Sequence, residues 1–315
     1  MPNENPPPRS IFAEFETVLH ALSLYGAAGI AAFGWAMGWF LRVDVVPWLP
    51  LWFCAALLIY NADRLRRDPA DALNVPARTA ASARLRTASS VTLALAALVL
   101  VGLPAARRDW LTLGLVIGGA VVSLGYSIPI FGFRGKDVPL LKSLFAPAVV
   151  TLAIFGLVVR GEIAAYDDAE ITRGSDAAFA LFGRLTILVP WALSYLLFNM
   201  LLCDLRDRAG DRVCHIRSIP VLWGEKGTRR LLWVLAVCGQ ILLLIAIGWR
   251  DDEAFPAALL SLFTGFYQAC LLVATRHPRS ERFFEWAVEG LLYVPAIACG
   301  IAVLCYRLGF EHIDT

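Results

Sequence analysis

Charge is what this chain has little of. Asp, Glu, Lys and Arg make up 17% of its 315 residues and hydrophobic residues 58%, whereas a soluble domain carries about 25% charged residues. A water-soluble globule is thereby excluded. The apolar runs are too long for barrel strands, which leaves an all-α, polytopic membrane bundle. None of the seven cysteines forms a Cys-x-x-Cys pair, so there is no thiolate zinc site and no disulfide framework. They read as small buried hydrophobes. The four histidines, His20, His215, His277 and His312, show no metal-ligand spacing. A formal net charge of +2 carries no information as a total, and no nucleic-acid partner is expected. Residues 1–17 open with a Pro-rich polar stretch without the pattern of a signal peptide, and are expected to form a disordered cytoplasmic tail.

Length then sets the spans. Apolar runs of about 17–25 residues mark membrane helices, and they fall near 18–41, 45–62, 87–105, 110–130, 140–159, 179–203, 229–249, 254–275 and 284–308. The expectation is a transmembrane domain over 18–308 with about nine helices, followed by a short tail over 309–315. Pro47 and Pro50 interrupt the start of the second run. The basic residues divide unevenly across these spans. Arg64, Arg78, Lys136, Lys142, Arg206, Arg217, Arg229 and Arg282 fall on the side of the N-terminus, while fewer, among them Arg42, Arg107, Arg160 and Arg184, fall on the other. The imbalance predicts an N-terminus in the cytoplasm and a C-terminus outside. The lack of an Arg/Ser-rich leader favours a bacterial plasma membrane. Gly34/Gly38 and Gly114/Gly118 have the four-residue spacing that lets membrane helices approach closely.

Two acidic segments stand out against this background, each at the end of a membrane run. One is Tyr60-Asn61-Ala62-Asp63-Arg64-Leu65-Arg66-Arg67-Asp68-Pro69-Ala70-Asp71; the other is Asp204-Leu205-Arg206-Asp207-Arg208-Ala209-Gly210-Asp211. In the second, carboxylates at i, i+3 and i+7 share one helix face. Carboxylates at such positions are costly and need a reason. Mg²⁺ supplies one, because it is a hard cation held by a few carboxylates together with substrate phosphates. A lipid-embedded bundle with a Mg²⁺–diphosphate mouth points to chemistry on a lipid diphosphate. The blander alternative is that both segments are solvated caps and topology signals.

The second segment resembles the second Asp-rich motif of the UbiA superfamily of intramembrane prenyltransferases: Asp204-x-x-Asp207-x-x-x-Asp211, then Ile216-Arg217-Ser218-Ile219-Pro220 and Gly224, with His215 where Gly is usual. Tyr126-Ser127-Ile128-Pro129, with Lys136 and Lys142, is similar to the family as well. The first segment departs from the family's Asn-Asp-x-x-Asp-x-x-x-Asp. Asn61 is followed by Ala62, and Asp68 is about 140° around an ideal helix from Asp63. Pro69 is expected to end that helix, letting Asp68 and Asp71 swing back.

The resemblance implies a UbiA-like bundle and a Mg²⁺-dependent transfer of a polyprenyl group from its diphosphate to a lipophilic or aromatic acceptor in the membrane. Asp204, Asp207 and Asp211 would be catalytic and bind the metal, and Asp63, Asp68 and Asp71 would form a weaker second metal site. Asn61, Arg64, Tyr126, Lys136, Lys142, Asn199 and Arg217 would contact substrate. Two alternatives remain open: a terpene cyclase on the same fold, and a non-catalytic prenyl-lipid-binding protein. The altered first motif gives weight to both.

Overall fold

The computed structural model describes residues 11–66, 68–127, 135, 138–167, 174–247 and 251–308, and every described element is helical. In chain order the helices are α1 Ile11–Ala21, α2 Leu24–Leu41, α3 Leu49–Leu65, α4 Pro69–Asn74, α5 Pro76–Arg84, α6 Arg86–Ala106, α7 Trp110–Ser127, α8 Leu141–Asp167, α9 Gly174–Val213, α10 Ile219–Ile247, α11 Asp251–Ala274, α12 Glu281–Phe283 and α13 Val294–Arg307. Among the described residues, α2, α6, parts of α8 to α11 and the Glu281–Arg307 segment are seven candidate membrane spans by length and composition, and Trp110–Tyr126 of α7 is a shorter apolar helix. The 17-residue α3 packs among them with Leu51, Trp52 and Leu57 buried. Large side chains such as Leu98, Val121, Leu152, Leu262 and Phe266 are more than 60% exposed. A soluble monomer does not present so much apolar surface; lipid tails accept it without penalty.

Several boundaries differ from the sequence expectations. The first run is two helices, because the chain turns at Ser23, in the left-handed region at φ 60°. Residues 11–17, expected in a disordered tail, belong to α1; residues 1–10 lie outside the described part. Ile11, Phe12 and Phe15 of α1 are exposed, the arrangement of a helix lying along a membrane surface. Pro47 sits in a 3-10 turn, Val46–Trp48, and Pro50 in the first turn of α3. They start that span instead of breaking it, since proline lacks only an N–H that the first turn leaves unused. Likewise Pro69 does not end a helix but opens α4.

Close packing at the centre follows from small residues and rings. A Cβ on Gly34 would lie 2.4 Å from the Trp52 ring, so α2 and α3 need glycine there. Gly38 makes the same allowance for Val45. Gly114 and Gly118, expected to play an equivalent part, have nothing within 4 Å of a built Cβ: their face of α7 meets no neighbouring helix. Phe33 stacks on Trp191 and Tyr195, with ring centroids 6.0 and 5.9 Å away, and Trp52 Nε1 donates to the Ala153 carbonyl at 3.1 Å. Such aromatic pairs contribute about 0.5–1.5 kcal/mol each beyond burial.

The bundle has two chemically distinct ends. At one, Arg107 reaches the Pro47 carbonyl, Arg160 pairs with Asp109 at 3.2 Å, and Arg184 reaches the Leu41 carbonyl. At the other lie the C-terminal ends of α3 and α9, the starts of α8 and α10, and all of α4; they are tied together by Lys142 to Asp211, Asn74 to Gly210 and the Leu140 N–H to the Arg217 carbonyl. Among the described residues, Arg107, Arg160 and Arg184 are thus at the end opposite to Lys142 and Arg217.

Candidate active site

Both acidic segments meet at this second end. α9 runs unbroken through Asp204, Asp207 and Asp211 and stops just beyond them. The stop is built by His215, at φ 58°, with the Ile216 N–H bonded to the Asp211 carbonyl at 2.8 Å and the His215 N–H to the Arg212 carbonyl at 3.3 Å. This is the left-handed helix cap that glycine normally fills. The place where His215 stands in for the usual glycine is thus a place where glycine has a physical advantage. Next to it, α4 is pressed onto α9. The Gly210 N–H donates to Asn74 Oδ1 at 2.9 Å, and a Cβ on Gly210 would lie 2.3 Å from that oxygen. Only glycine permits this approach, and it carries the first acidic segment to the second.

Within the second segment, Asp204 and Asp211 are 1% and 0% exposed. Lys142, from the first turn of α8, lies 2.6 Å from both oxygens of Asp211 and 3.7 Å from Asp204 Oδ1. Ser143 donates to Asp204 Oδ2 and accepts from the Ile219 N–H at 3.1 Å. Burial of two carboxylates is tolerable here because each is paired and hydrogen-bonded. Asp207 is held separately, by a two-pronged contact with Arg206 at 2.7 and 3.2 Å; the Arg206 guanidinium also lies over the Phe284 ring at 5.1 Å. The three carboxylates are divided between two protein cations.

The first segment is put to more structural use. Asn61 is fully buried, and its amide N–H groups donate to the Leu22 and Leu57 carbonyls at 3.0 and 2.9 Å; its Oδ1 has no partner. Arg64 donates to the His20 and Ala21 carbonyls at the end of α1. Together they fasten the break between α1 and α2. Asp68 caps α4, accepting the Ala70 N–H at 2.9 Å. Asp71, on α4, lines a small cavity with Arg64 and Arg78. Burial pushes its carboxyl above the usual range, and the charges of Asp63, Asp68 and Asp207 push the same way against Arg78. The short helix α4, which carries Asp71, is the link between the two acidic segments.

The remaining expected residues are spread around this core. Tyr126 stacks flat on Phe145, with centroids 4.1 Å apart. Arg217 is exposed at the rim. Asn199 donates to the Val288 carbonyl at 2.6 Å, within the bundle. Lys136 lies outside the described residues. Asn74, Ser143 and Glu289 were not singled out from the sequence. Ser143 adjoins Lys142, and Glu285 and Glu289 form an acidic i, i+4 pair at the start of the last apolar run, a signal that was present.

The donor chemistry suits Mg²⁺, which takes hard oxygen from one or two carboxylates and completes its shell with substrate phosphates and water. Among the described residues no group of three or more His, Cys, Asp or Glu forms a protein cage. Within the two acidic segments, Asp63, Asp68, Asp71 and Asp207 lie outside the Lys142 pairing; of these, Asp68 caps α4 and Asp207 meets Arg206.

A model of the UbiA prenyltransferase family matches residues 63–288. Neither the curated proteins nor the solved structures give a match.

Proposed function

We propose, from the premise that this chain belongs to the UbiA prenyltransferase family, that it is a Mg²⁺-dependent intramembrane enzyme moving a polyprenyl group from its diphosphate to a lipophilic or aromatic acceptor. One observation carries the reading. Asn74 and Gly210, 136 residues apart, hold two acidic segments against each other at the same end of an apolar bundle. An amphiphile with a long apolar chain and a multiply charged head matches that polarity.

Lys142 and Arg206 neutralise the mouth's carboxylates and leave it able to accept further anionic charge with a counter-cation. Asp207 and Asp71 would hold Mg²⁺, which when bound offsets the charge of the diphosphate. Arg217, exposed at this end, and Arg78 would meet the phosphate oxygens, whereas Arg64 is committed to the carbonyls at the end of α1. As the allylic C–O bond breaks, its electron pair leaves with the diphosphate, and preorganised positive groups stabilise that departure. The bundle keeps water from the cation. The positive bias of this end supports a cytoplasmic orientation for it.

The test is product analysis. The purified chain in lipid, given Mg²⁺, a prenyl diphosphate and a candidate acceptor, is expected to yield the acceptor's mass plus one prenyl group. A cyclised hydrocarbon or alcohol instead would assign the cyclase reading.

A further inference from the structure

The last span contains a carboxylate that the mouth does not use. Between α12 and α13 the chain leaves regular α-helix: Phe284–Val288 is a π-helical turn and Leu291–Tyr293 a 3-10 turn. Carbonyls released from regular pairing need other donors at membrane depth. Here four side chains from three other helices supply them. Asn199 donates to Val288, Tyr267 to Ala287 at 2.9 Å, Tyr195 to Leu291 at 2.8 Å, and Tyr25 to Trp286 at 3.4 Å. An irregular turn secured this thoroughly is a maintained feature, and such turns gather at functional sites.

What the irregular turn presents is Glu289. Its Oε2 would lie 3.2 Å from a Cβ on Gly26, and the same point is 3.6 Å from the Tyr60 ring. Glycine at 26 thus makes room for this carboxylate between α2 and α3. The Tyr60 ring lies beside it, and at the neighbouring turn Tyr25 and Tyr293 pack on each other with centroids 5.0 Å apart. The strongest attractions of Glu289 are to Arg64, Arg78 and Arg206, and Glu285 repels it. Yet no hydrogen bond or ion pair is formed by Glu289 among the described residues. Arg64 is spent on the end of α1 and Arg206 on Asp207. A carboxylate kept in a membrane bundle without a bonded partner is expensive and calls for a function.

We propose that Glu289 is the proton acceptor of the transfer reaction, an inference that rests on the prenyltransferase reading above. The allylic C–O bond breaks and its electron pair leaves with the diphosphate. A nucleophilic carbon or oxygen of the acceptor forms the new bond to the allylic carbon, and the proton it must shed passes to the Glu289 carboxylate. The Tyr60 ring beside the carboxylate attracts the cation meanwhile. Without the base, the cation is left to water or to elimination.

The test uses the full chain in lipid with Mg²⁺, 2-naphthol as a neutral hydroxyarene probe, and geranyl, farnesyl or geranylgeranyl diphosphate. Released diphosphate and prenylated naphthol are measured separately. In Glu289→Gln the ratio of prenylated product to released diphosphate is expected to fall about 100-fold or more, the range for loss of a positioned base, and Glu289→Asp to regain part of it. An unchanged ratio in the glutamine variant overturns the assignment. So does equal loss of release and product in both variants, which would make Glu289 part of the ionising or folding machinery. Wild-type release without prenylated naphthol overturns it also. No release from wild type with any of the three diphosphates overturns the prenyltransferase reading itself, and this inference with it.

Discussion

Lys142 and Asp211 are the closest ion pair at the mouth: one ammonium lies 2.6 Å from both oxygens of a fully buried carboxylate and 3.7 Å from a second, on Asp204. Three helices depend on it, since α8 brings the cation, α9 both anions, and Ser143 carries the contact to α10. Lys142→Met should therefore destabilise the protein by about 3–5 kcal/mol, the cost of leaving a buried charge unpaired. The Lys142→Met/Asp211→Asn double variant should recover a good part of that loss. Chemical or thermal unfolding in detergent would show this; additive losses would contradict it.

The distance between α4 and α9 is set by a single missing methyl group. Gly210→Ala places a carbon 2.3 Å from Asn74 Oδ1, so Asn74 must move and its bond to the backbone is lost. A destabilisation of about 1–3 kcal/mol is expected from overpacking. Asn74→Ala in the same background should add little, because the bond is already broken. If Gly210→Ala is neutral, the two acidic segments are not held together as described.

At His215 the expectation runs the other way. A non-glycine residue at φ 58° carries a penalty that glycine avoids. His215→Gly is expected to raise stability by about 1 kcal/mol, less whatever the unfolded chain gains in freedom. A lower unfolding midpoint in this variant would mean that the imidazole makes a compensating contact.

How much of this was legible in the sequence depends on distance along the chain. The i, i+7 relation of Asp204 and Asp211 was readable and puts both on Lys142. That Lys142 would be the partner was not, because 69 residues and a change of helix separate it from Asp211. Asp68 next to Pro69 is an N-cap followed by a first-turn proline, so its use as a cap was written locally, although the family-like spacing drew attention to metal binding instead. Gly34 and Gly114 show the limit of spacing arguments. Both begin a small-residue pair, but only Gly34 faces a ring that needs the room. The irregular turn before α13 leaves no periodic mark, since its carbonyls are satisfied by side chains from α2, α9 and α11.

His20 gives a pH test outside the spans. It is 4% exposed at the end of α1, edge-on to Trp286 at 4.7 Å. Burial lowers its pKa to about 4; Glu16 opposes this, and Arg64 adds to it. The unfolded chain takes up this proton near pH 6.5, the folded one only near pH 4. Stability contributed by neutral His20 is thus full above about pH 6.5 and falls as pH drops through that window toward 4. His20→Phe should flatten the slope of unfolding midpoint against pH between those limits. An unaltered slope would mean that other groups set it.

The central claim is that the joined acidic mouth ionises a prenyl diphosphate. The direct measurement is Mg²⁺-dependent diphosphate release by the purified chain in lipid across a panel of prenyl diphosphates, with Asp207→Ala beside the wild type. The account predicts release by the wild type, its disappearance on chelating Mg²⁺, and a fall of about 100-fold or more in the variant, as for loss of a group that stabilises the departing charge. Neither release nor Mg²⁺-dependent binding of any prenyl diphosphate by the wild type would contradict it.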